Sequence, residues 1–376
     1  MPELELQLPE ALRDATEHQP RARLALAAAL SAGPSHAYLF RGSRGAGKSA
    51  AARAFAAEIL SRGAQDPEDA RRRALLDPSP HPDLVWVAPS GSQHMVEEVR
   101  EQVIRAAAYR PYEGKRRVFV IERAEAMRDE SQNALLKTLE EPPPFAHLIL
   151  LSSEPDALLE TIVSRCQQVD FAPLPVDVLA AALAGEGLPE ELGAAARLAG
   201  GDQDRARLLV SEPGRRLRAE AEGLSRAARS EDGEGSPWRG LLEAAEAAGT
   251  DAEDSARRSL EQEVEGGRRI AAKELGEEAR RIGRRRRTEV LDFGLGLCAA
   301  WFRDLGAVAA GAPEAALAQD RLEELGADAA GLDPVRARQA VELVQNTRRR
   351  LDLNVSEELA LEALFFRLQG VLTGGP

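Results

Sequence analysis

One glycine-rich run near the N-terminus carries the strongest chemical signal in the sequence. It follows the pattern G-x-x-x-x-G-K-[ST], and its positions are Gly42, Ser43, Arg44, Gly45, Ala46, Gly47, Lys48 and Ser49. In such a run the glycines let backbone N–H groups turn inward around a phosphate, the lysine reaches the β- and γ-phosphates, and the serine hydroxyl is a ligand for Mg²⁺. The run therefore predicts a site for ATP or ADP with Mg²⁺; the alternative is a glycine-rich turn that only shapes the loop.

A second candidate position follows the apolar stretch 118–121. ATPases with a phosphate-binding loop usually carry Asp-Glu at the end of such a strand, where the Asp holds Mg²⁺ and the Glu polarises the attacking water. Here the pair is Glu122-Arg123. Glu122 can still help to hold the metal, whereas a guanidinium cannot accept a proton from water. The pair predicts nucleotide binding with slow or no hydrolysis.

The elements that must position these residues alternate between strand and helix over residues 1–170. The patterns predict strands at 37–41, 84–88, 117–121 and 148–152, and helices at 20–32, 48–60, 96–108 and 131–141. The polar, proline-containing segment 61–82 is typical of an excursion over the surface. Strands that alternate with helices imply a parallel sheet in a three-layer α/β domain.

After residue 171 the pattern is helical throughout, so we expect an α/β domain followed by all-α regions. The predicted domains are a P-loop α/β domain (1–170), a small helical domain (171–213) and a helical C-terminal domain (214–376) with a charged insertion near 251–287. Within that insertion, residues 268–287 hold nine Lys/Arg against three Glu. We interpret this stretch as a solvated charged helix; the alternative is a contact with DNA or a partner.

The composition excludes several classes of protein. Lys+Arg 49 against Asp+Glu 62 gives a net charge of −13, which argues against a protein that coats nucleic acid by charge alone. The apolar stretches are far shorter than the roughly 20 residues that span a bilayer, and the acidic N-terminus lacks the basic start of a signal peptide. We therefore expect a cytoplasmic protein with no membrane segment. Two cysteines alone cannot furnish a four-ligand zinc site, so no zinc is expected.

Two further segments carry a family resemblance. SQNALLKTLEEPP at 131–143 and TIVSRCQ at 161–167 resemble the hallmark segments of the bacterial clamp-loader ATPases of the AAA+ class. In that family the arginine of the Ser-Arg-Cys motif enters the nucleotide site of the neighbouring subunit, which implies that Arg165 acts as a finger in trans. A guanidinium so placed stabilises charge that develops on the γ-phosphate. The alternative is an ordinary surface arginine.

Within this family the chain resembles the delta-prime branch of DNA polymerase III more than the gamma/tau motors. The Glu122-Arg123 pair replaces the Asp-Glu of the motors, and the segments 36–40, 81–84, 124–127 and 353–355 also resemble delta-prime chains. Many relatives carry four cysteines between the P-loop and residue 81 to bind zinc, and this chain has none there. The resemblance implies a stator with weak or absent ATPase activity that assembles with gamma/tau and delta into a ring, and that meets the sliding clamp and primed DNA through the complex. It also implies that region 171–213 is a helical lid and that region 214–376 is the oligomerisation, or collar, domain.

The resemblance also implies two smaller roles in nucleotide binding. Ser153, after the fourth predicted strand, lies where this class places a polar residue that senses the γ-phosphate, and Arg205 aligns with the arginine that the lid brings to the nucleotide. Simple strand-end capping is the alternative for Ser153. Two other functions remain open. A gamma/tau-like motor is disfavoured by Arg123, and a P-loop phosphotransferase is disfavoured because only helices follow residue 172 to build an acceptor pocket.

Overall fold

The computed structural model of the chain describes residues 8–89, 93–230, 235–265, 272–351 and 355–374. The chain divides into two compact units, Met1–Leu174 and Pro175–Pro376. The first unit contains the sheet and the second is helical. The expected combination of an α/β region with an all-α region is confirmed.

The first unit is built on a five-stranded parallel sheet with the strand order β2-β3-β4-β1-β5. The strands are β1 (Ala37–Gly42), β2 (Leu84–Val87), β3 (Arg117–Ile121), β4 (Ala146–Ser152) and β5 (Gln167–Phe171). The four predicted strands are confirmed, and β5 was not predicted. Because β5 lies at the sheet edge, its residues alternate between exposed and buried at 168–171 rather than forming an apolar run.

Helices of the first unit flank this sheet and connect its strands. They are α1 (Glu10–Ala15), α2 (Pro20–Ala32), α3 (Lys48–Ser61), α4 (Pro67–Leu75), α5 (Val96–Val99), α6 (Asp129–Glu140) and α7 (Glu160–Val163). Helix α5 continues as a π-helical turn, Arg100–Arg105. Helix α4 lies inside the segment 61–82, which we expected to be an excursion over the surface. It begins because the Asp66 side chain accepts hydrogen bonds from the Glu68 and Asp69 N–H groups, and it buries Ala70 and Ala74.

The core of the first unit lies on both faces of the sheet. In β1, Tyr38 and Phe40 belong to the cluster that contains Phe55 of α3, while Ala37 and Leu39 belong to a second cluster that contains Leu135 of α6. The Tyr38 and Phe55 rings meet edge to face with centroids 4.9 Å apart. Two apolar faces on one sheet account for the three-layer arrangement that the alternating pattern predicted.

The second unit is made of helices alone within its described residues. They are α8 (Val176–Ala182), α9 (Pro189–Leu198), α10 (Gln203–Val210), α11 (Glu212–Ala227), α12 (Arg239–Glu265), α13 (Ala272–Ala309), α14 (Leu322–Ala329), α15 (Pro334–Leu351) and α16 (Glu357–Thr373). The helices of the predicted lid fall in the same unit as the C-terminal helices. A separate lid therefore stays a prediction.

The arginine-rich stretch 272–287 is helical, because it forms the first part of α13. Residues 268–271 of that stretch lie outside the described residues. Arg285 donates to Glu289 at 3.0 Å, and Arg287 pairs with Glu246 of α12. Part of the local positive charge is thus compensated within the unit, while a contact with DNA or a partner stays untested.

Candidate nucleotide site and arginine finger

The glycine-rich loop lies between the end of β1 and the start of α3. Gly47 has φ 89° and ψ 8°, the left-handed conformation, directly before the first helical residue Lys48. At the other end of the loop, Gly42 has φ 149° and packs against β5. A Cβ atom built on Gly42 would lie 2.0 Å from the carbonyl oxygen of Phe171. Both positions therefore require glycine for a structural reason.

The Lys48 side chain folds back over the glycine-rich loop, which ends at this residue. Its Nζ donates to the carbonyl oxygens of Gly42, at 2.6 Å, and Ser43, at 2.7 Å, and the side chain is buried. The Ser43 hydroxyl is also buried, and it has no hydrogen-bond partner among the described residues. An ammonium group, an unpaired hydroxyl and the N-terminus of α3 meet in one loop, so the residues present fit a phosphate group.

Gln19, which the sequence analysis did not identify, connects this loop to the chain after β5. Its Nε2 donates to the carbonyl oxygen of Ala46 at 3.0 Å and to that of Ala172 at 2.7 Å, and its Oε1 accepts from the Ala172 N–H at 2.9 Å. The side chain is 3% exposed, so these bonds are shielded from water. A glutamine that begins a helix gave no sequence signal for such a contact.

The carboxyl ends of β1, β3 and β4 bring the other predicted residues toward the loop. Strand β4 lies between β3 and β1, with Ser152 opposite Arg41 and Leu150 opposite Ile121. Ser153 therefore follows β4 beside Gly42, and Glu122 follows β3 on the same edge of the sheet. Both residues thus lie at the carboxyl edge of the sheet, from which the glycine-rich loop also leaves. Their roles toward a nucleotide stay predictions.

Glu125 is a further carboxylate at this edge that the sequence analysis assigned no chemistry. Its Oε1 accepts from the Ser153 Oγ at 2.7 Å and from the Ser153 N–H at 3.3 Å. Its Oε2 is buried without a hydrogen-bond partner among the described residues. The Ser153 hydroxyl thus donates a hydrogen bond to the Glu125 side chain in this structure. In the sequence, Glu125 lies in the segment 124–127, which resembles delta-prime chains, but the resemblance assigned Glu125 no role.

The turn after β3 is fixed by a buried histidine. Arg123 has φ 48° and ψ 55°, in the left-handed region, and is the one described non-glycine residue with a positive φ. Next to it, His94 Nε2 lies 2.7 Å from the Glu122 carbonyl oxygen, and the His94 N–H donates to the Ala126 carbonyl at 3.0 Å. Burial lowers the pKa of His94, so the ring is neutral near pH 7 and donates one proton to that carbonyl.

The His81-Pro82-Asp83 segment has a structural function within the first unit. Asp83 is fully buried, and its carboxylate accepts from the N–H groups of Tyr112, at 2.7 Å, and Glu113, at 3.0 Å. His81 Nδ1 accepts from the Asp83 N–H at 3.1 Å. Burial lowers the pKa of His81, in keeping with an acceptor nitrogen on a neutral ring. The segment therefore holds the turn before β3, and these contacts do not involve the glycine-rich loop.

Arg165 follows helix α7 at the surface and pairs with the hallmark segment of α6. Its Nη2 donates to the Glu140 Oε1 at 2.7 Å and its Nη1 to the Thr161 carbonyl at 2.9 Å, while 35% of the side chain stays exposed. The next residue, Cys166, points into the core, and burial raises its pKa to about 12. The thiol is therefore unreactive, whereas the neighbouring guanidinium is accessible.

Gln132 connects the two hallmark segments. Its Nε2 donates to the Met127 carbonyl at 3.0 Å, and its Oε1 accepts from the Leu159 N–H at 2.8 Å, directly before α7. The side chain is 1% exposed. Gln132 of the first hallmark segment thus holds the chain directly before α7, the helix that precedes Arg165.

Arg205 lies in the second unit, on helix α10. Its guanidinium is 3.6 Å from the Asp202 carboxylate, 3.7 Å from the Asp292 carboxylate and 4.8 Å from the centre of the Phe293 ring. These contacts direct it toward helix α13. The role of Arg205 toward a nucleotide stays a prediction.

The described part of the chain has neither a metal-binding cluster nor a membrane-spanning helix. No group of three or more His, Cys, Asp or Glu side chains there could hold a metal ion. None of the helices there is long and apolar enough to cross a membrane. The absence of a zinc site stays an expectation.

Comparison with known proteins supports the family resemblance. Residues 19–175 match the family described as "DNA polymerase III, delta subunit". A DNA polymerase III subunit delta' from Bacillus subtilis is 35% identical over 37% of this chain and 43% of its own length. A DNA polymerase III subunit tau/gamma from Haemophilus influenzae is 34% identical over 37% of this chain and 20% of its own length. The resemblance to clamp-loader subunits is thus confirmed for the N-terminal region.

The matched region is short compared with the relatives. The chain spans less than half the length of each of these two proteins. Among solved structures, a DNA polymerase III gamma subunit-related protein from Thermotoga maritima aligns with 93% of this chain and 99% of its own, at 16% identity and a TM-score of 0.44. Residues 353 and 354, part of a segment cited for the resemblance, lie outside the described residues.

Proposed function

We propose that this chain is a delta-prime-type subunit of the bacterial DNA polymerase III clamp loader. It would serve in the cytoplasm as a stator that joins gamma/tau and delta subunits in a ring and helps to load the sliding clamp onto primed DNA. The observation that carries the proposal is an intact phosphate loop beside Glu122-Arg123 in a chain whose residues 19–175 match the DNA polymerase III delta family. Because Arg123 cannot take a proton from water, this subunit contributes geometry rather than hydrolysis.

The proposed nucleotide is ATP or ADP with Mg²⁺. Lys48 leaves the Gly42 and Ser43 carbonyls to bind phosphate oxygens, and the Ser43 hydroxyl gains an acceptor. Ser49 and Glu122 would hold the metal at the carboxyl edge of the sheet. When bound, Mg²⁺ neutralises charge on the phosphates.

The proposed contribution to catalysis in the complex is Arg165. In the isolated chain its guanidinium is held by Glu140, at the end of α6, and remains accessible. An exposed pair of this kind is weak, since surface ion pairs contribute about 0–1 kcal/mol. A phosphate group of a neighbouring subunit, with more negative charge and a match to the planar guanidinium, displaces Glu140 at little cost.

Nucleotide binding is tested by titration calorimetry and a steady-state ATPase assay of the isolated chain. We expect wild type to bind Mg-ATP or Mg-ADP without measurable turnover, and Lys48→Ala to lose binding while its circular dichroism is unchanged. Lys137→Ala, an exposed lysine on α6, is the matched control and should bind as wild type does. Absence of binding to wild type would show that the loop has only a structural role.

The finger is tested in the reconstituted complex. Arg165→Ala should leave assembly intact on size-exclusion chromatography and lower DNA- and clamp-stimulated ATPase activity, and Arg165→Lys should not restore it because an ammonium lacks the planar fork. In GTPases an arginine finger in trans raises the rate of hydrolysis by roughly 10³- to 10⁵-fold. The loss of one of several fingers should lower the rate of the complex by less than this. Arg72→Ala, another surface arginine in an ion pair, is the control. Equal rates for all variants in an intact complex would remove Arg165 from the proposal.

The tau/gamma match, at nearly the same identity as the delta' match, keeps an ATP-hydrolysing motor as the second candidate. Robust ATPase activity of the unmutated chain would favour this candidate. In the stator, Arg123→Glu restores a carboxylate at the water-activating position, and we expect any residual hydrolysis to rise modestly. Turnover in wild type that Arg123→Glu does not increase would show that the missing carboxylate is not what limits hydrolysis.

A further inference from the structure

A cavity of about 550 Å³ lies within the second unit, among helices α9, α10, α13 and α15. This volume is in the range of sites for small molecules. All the residues that line it belong to one compact unit, although they come from both regions that we predicted as lid and C-terminal domain. Neither the nucleotide loop nor the arginine finger uses this cavity.

The floor of the cavity is apolar. Phe293, Ala299 and Phe302 of α13 line it and are buried, and Leu317 and Val341 complete the apolar surface. An apolar group that enters gains free energy roughly in proportion to the surface that it removes from water. Two phenyl rings favour a ligand with an aromatic or long aliphatic body.

The remainder of the lining is strongly cationic. The arginines that line the cavity are Arg197, Arg205, Arg303, Arg338 and Arg348. No Asp or Glu is among the described residues that line it. Four of the five also lie within 4.0 Å of a carboxylate that does not line the cavity, so the positive charge of the lining is partly compensated.

Three of these arginines are fixed by contacts behind the cavity wall. Arg348 donates two hydrogen bonds to the Asp292 carboxylate, each of 2.8 Å, and Arg205 shares that carboxylate at 3.7 Å. Arg303 donates to the buried Asp304 at 2.9 Å. Arg205 also lies 3.6 Å from the Asp202 carboxylate, so the charge of these three guanidinium groups is matched by Asp202, Asp292 and Asp304.

The other two arginines have little compensation. Arg338 lies 3.8 Å from Glu342, but the two side chains are 74% and 64% exposed, so this pair is weak. Arg197 has no ion pair with any residue that the structure describes. They are the groups best able to bind an added anion, since neither must first leave a strong partner.

We propose that this cavity binds a small amphipathic anion. Its apolar body packs against Phe293 and Phe302, and its carboxylate, sulfonate or phosphate head pairs with Arg197 and Arg338. Both parts are needed, because a bare anion would leave the apolar floor unfilled and a neutral apolar molecule would leave the arginines unpaired. Arg205, whose role toward a nucleotide stays a prediction, also lines this cavity; the proposal itself depends on Arg197 and Arg338, to which no nucleotide role is assigned.

The test uses the full-length chain and two probes of this chemistry. The aromatic sulfonate 8-anilinonaphthalene-1-sulfonate is titrated by fluorescence, and decanoate is then used to displace it. We expect saturable binding of one equivalent, displacement by decanoate, and no displacement by inorganic phosphate, which has the head without the body. No saturable binding, or displacement by phosphate alone, overturns the proposal.

Two variants separate the cavity from unspecific binding to the surface. A Cβ atom on Gly296, which lines the cavity within α13, meets nothing within 4 Å, so Gly296→Leu should fill space without a clash. It should weaken probe binding at least tenfold while the melting temperature does not fall, because leucine favours helix over glycine. Gly370→Leu, on α16 with the same open surroundings but outside the cavity, is the matched control and should bind within twofold of wild type.

A pair of charge-reversal variants on helix α15 tests whether the arginines of the cavity contribute to probe binding. Arg338→Glu should weaken binding of both probes by about tenfold or more, and Arg350→Glu, on the same helix but outside the cavity, should change it less than twofold. Equal weakening by both charge reversals would mean that net charge rather than the cavity governs binding. That result, or full binding by Gly296→Leu, overturns the assignment.

Discussion

The close contact between Gly42 and β5 allows a quantitative test of the loop geometry. In Gly42→Ala, the added Cβ would lie 2.0 Å from the Phe171 carbonyl oxygen, whereas ordinary contacts begin near 3.4 Å. The backbone of β1 or β5 must therefore shift by more than 1 Å. Overpacking of this kind costs about 1–3 kcal/mol. The positive φ of 149° adds about 1–3 kcal/mol, so we expect a total loss of about 2–6 kcal/mol.

Gly33→Ala is the matched control in the same unit. Gly33 also has a positive φ, 93°, but a Cβ atom there meets nothing within 4 Å, so only the conformational cost of about 1–3 kcal/mol applies. The difference between the two variants isolates the contact with Phe171.

Native-state hydrogen exchange of peptides from β1 and β4 measures this loss in the first unit alone. At tenfold per 1.4 kcal/mol, Gly42→Ala should speed exchange by roughly 30-fold to 10⁴-fold, and by at least fivefold more than Gly33→Ala. Peptides from α15 in the second unit provide the internal reference. Equal acceleration in the two variants would refute the argument from the Phe171 contact.

Three other predictions concern buried polar and titratable groups. Asp83→Ala leaves the partly buried N–H groups of Tyr112 and Glu113 without their acceptor and should lower the free energy of unfolding of the first unit by about 1–3 kcal/mol in the same exchange experiment; a loss below about 0.5 kcal/mol would contradict it. The pKa of Cys166 and of Cys298 is raised to about 12 by burial, so neither thiol should react with iodoacetamide at pH 8 until the chain is unfolded, and rapid labelling of the native chain would argue against their burial. Burial lowers the pKa of His81, His94 and His147 below 6.5, so in acid the unfolded state binds more protons than the native state. The free energy of unfolding should therefore fall as the pH drops below about 6.5. NMR titration should show native pKa values under 6.5 for these three histidines, and a value above 6.5 would reverse the sign of that histidine's contribution to stability.

Local patterns were sufficient for most of the first unit. The loop at 42–49 and the strands β1 to β4 follow from short apolar runs and glycine spacing, which do not depend on the rest of the chain. Strand β5 was missed because an edge strand carries polar residues on its exposed face. Helix α4 was missed because the prolines of the segment 61–82 suggested a surface excursion, although Pro67 at the first helical position is favourable.

The site could be predicted only where a motif marks it. Glu125 and Gln19 act through contacts with residues far away in the sequence, and neither belongs to a spacing pattern. Arg165 was found because a family resemblance singled it out, whereas its partner Glu140 is known only from the fold. The cationic cavity combines arginines from several helices, so no linear stretch of sequence could reveal it.

Gln19 makes the loop and the end of the first unit parts of one hydrogen-bonded assembly. A primary amide offers two donor hydrogens and one acceptor oxygen, and here both kinds of group are used, on Ala46 and on Ala172. If phosphate binding moves the backbone at Ala46, the amide cannot follow and also keep both bonds to Ala172, two residues before the unit ends at Leu174. A change in the backbone at Ala46 would therefore cost hydrogen bonds at Ala172 as well. Glutamate could not take this place, because a carboxylate has no hydrogen to donate.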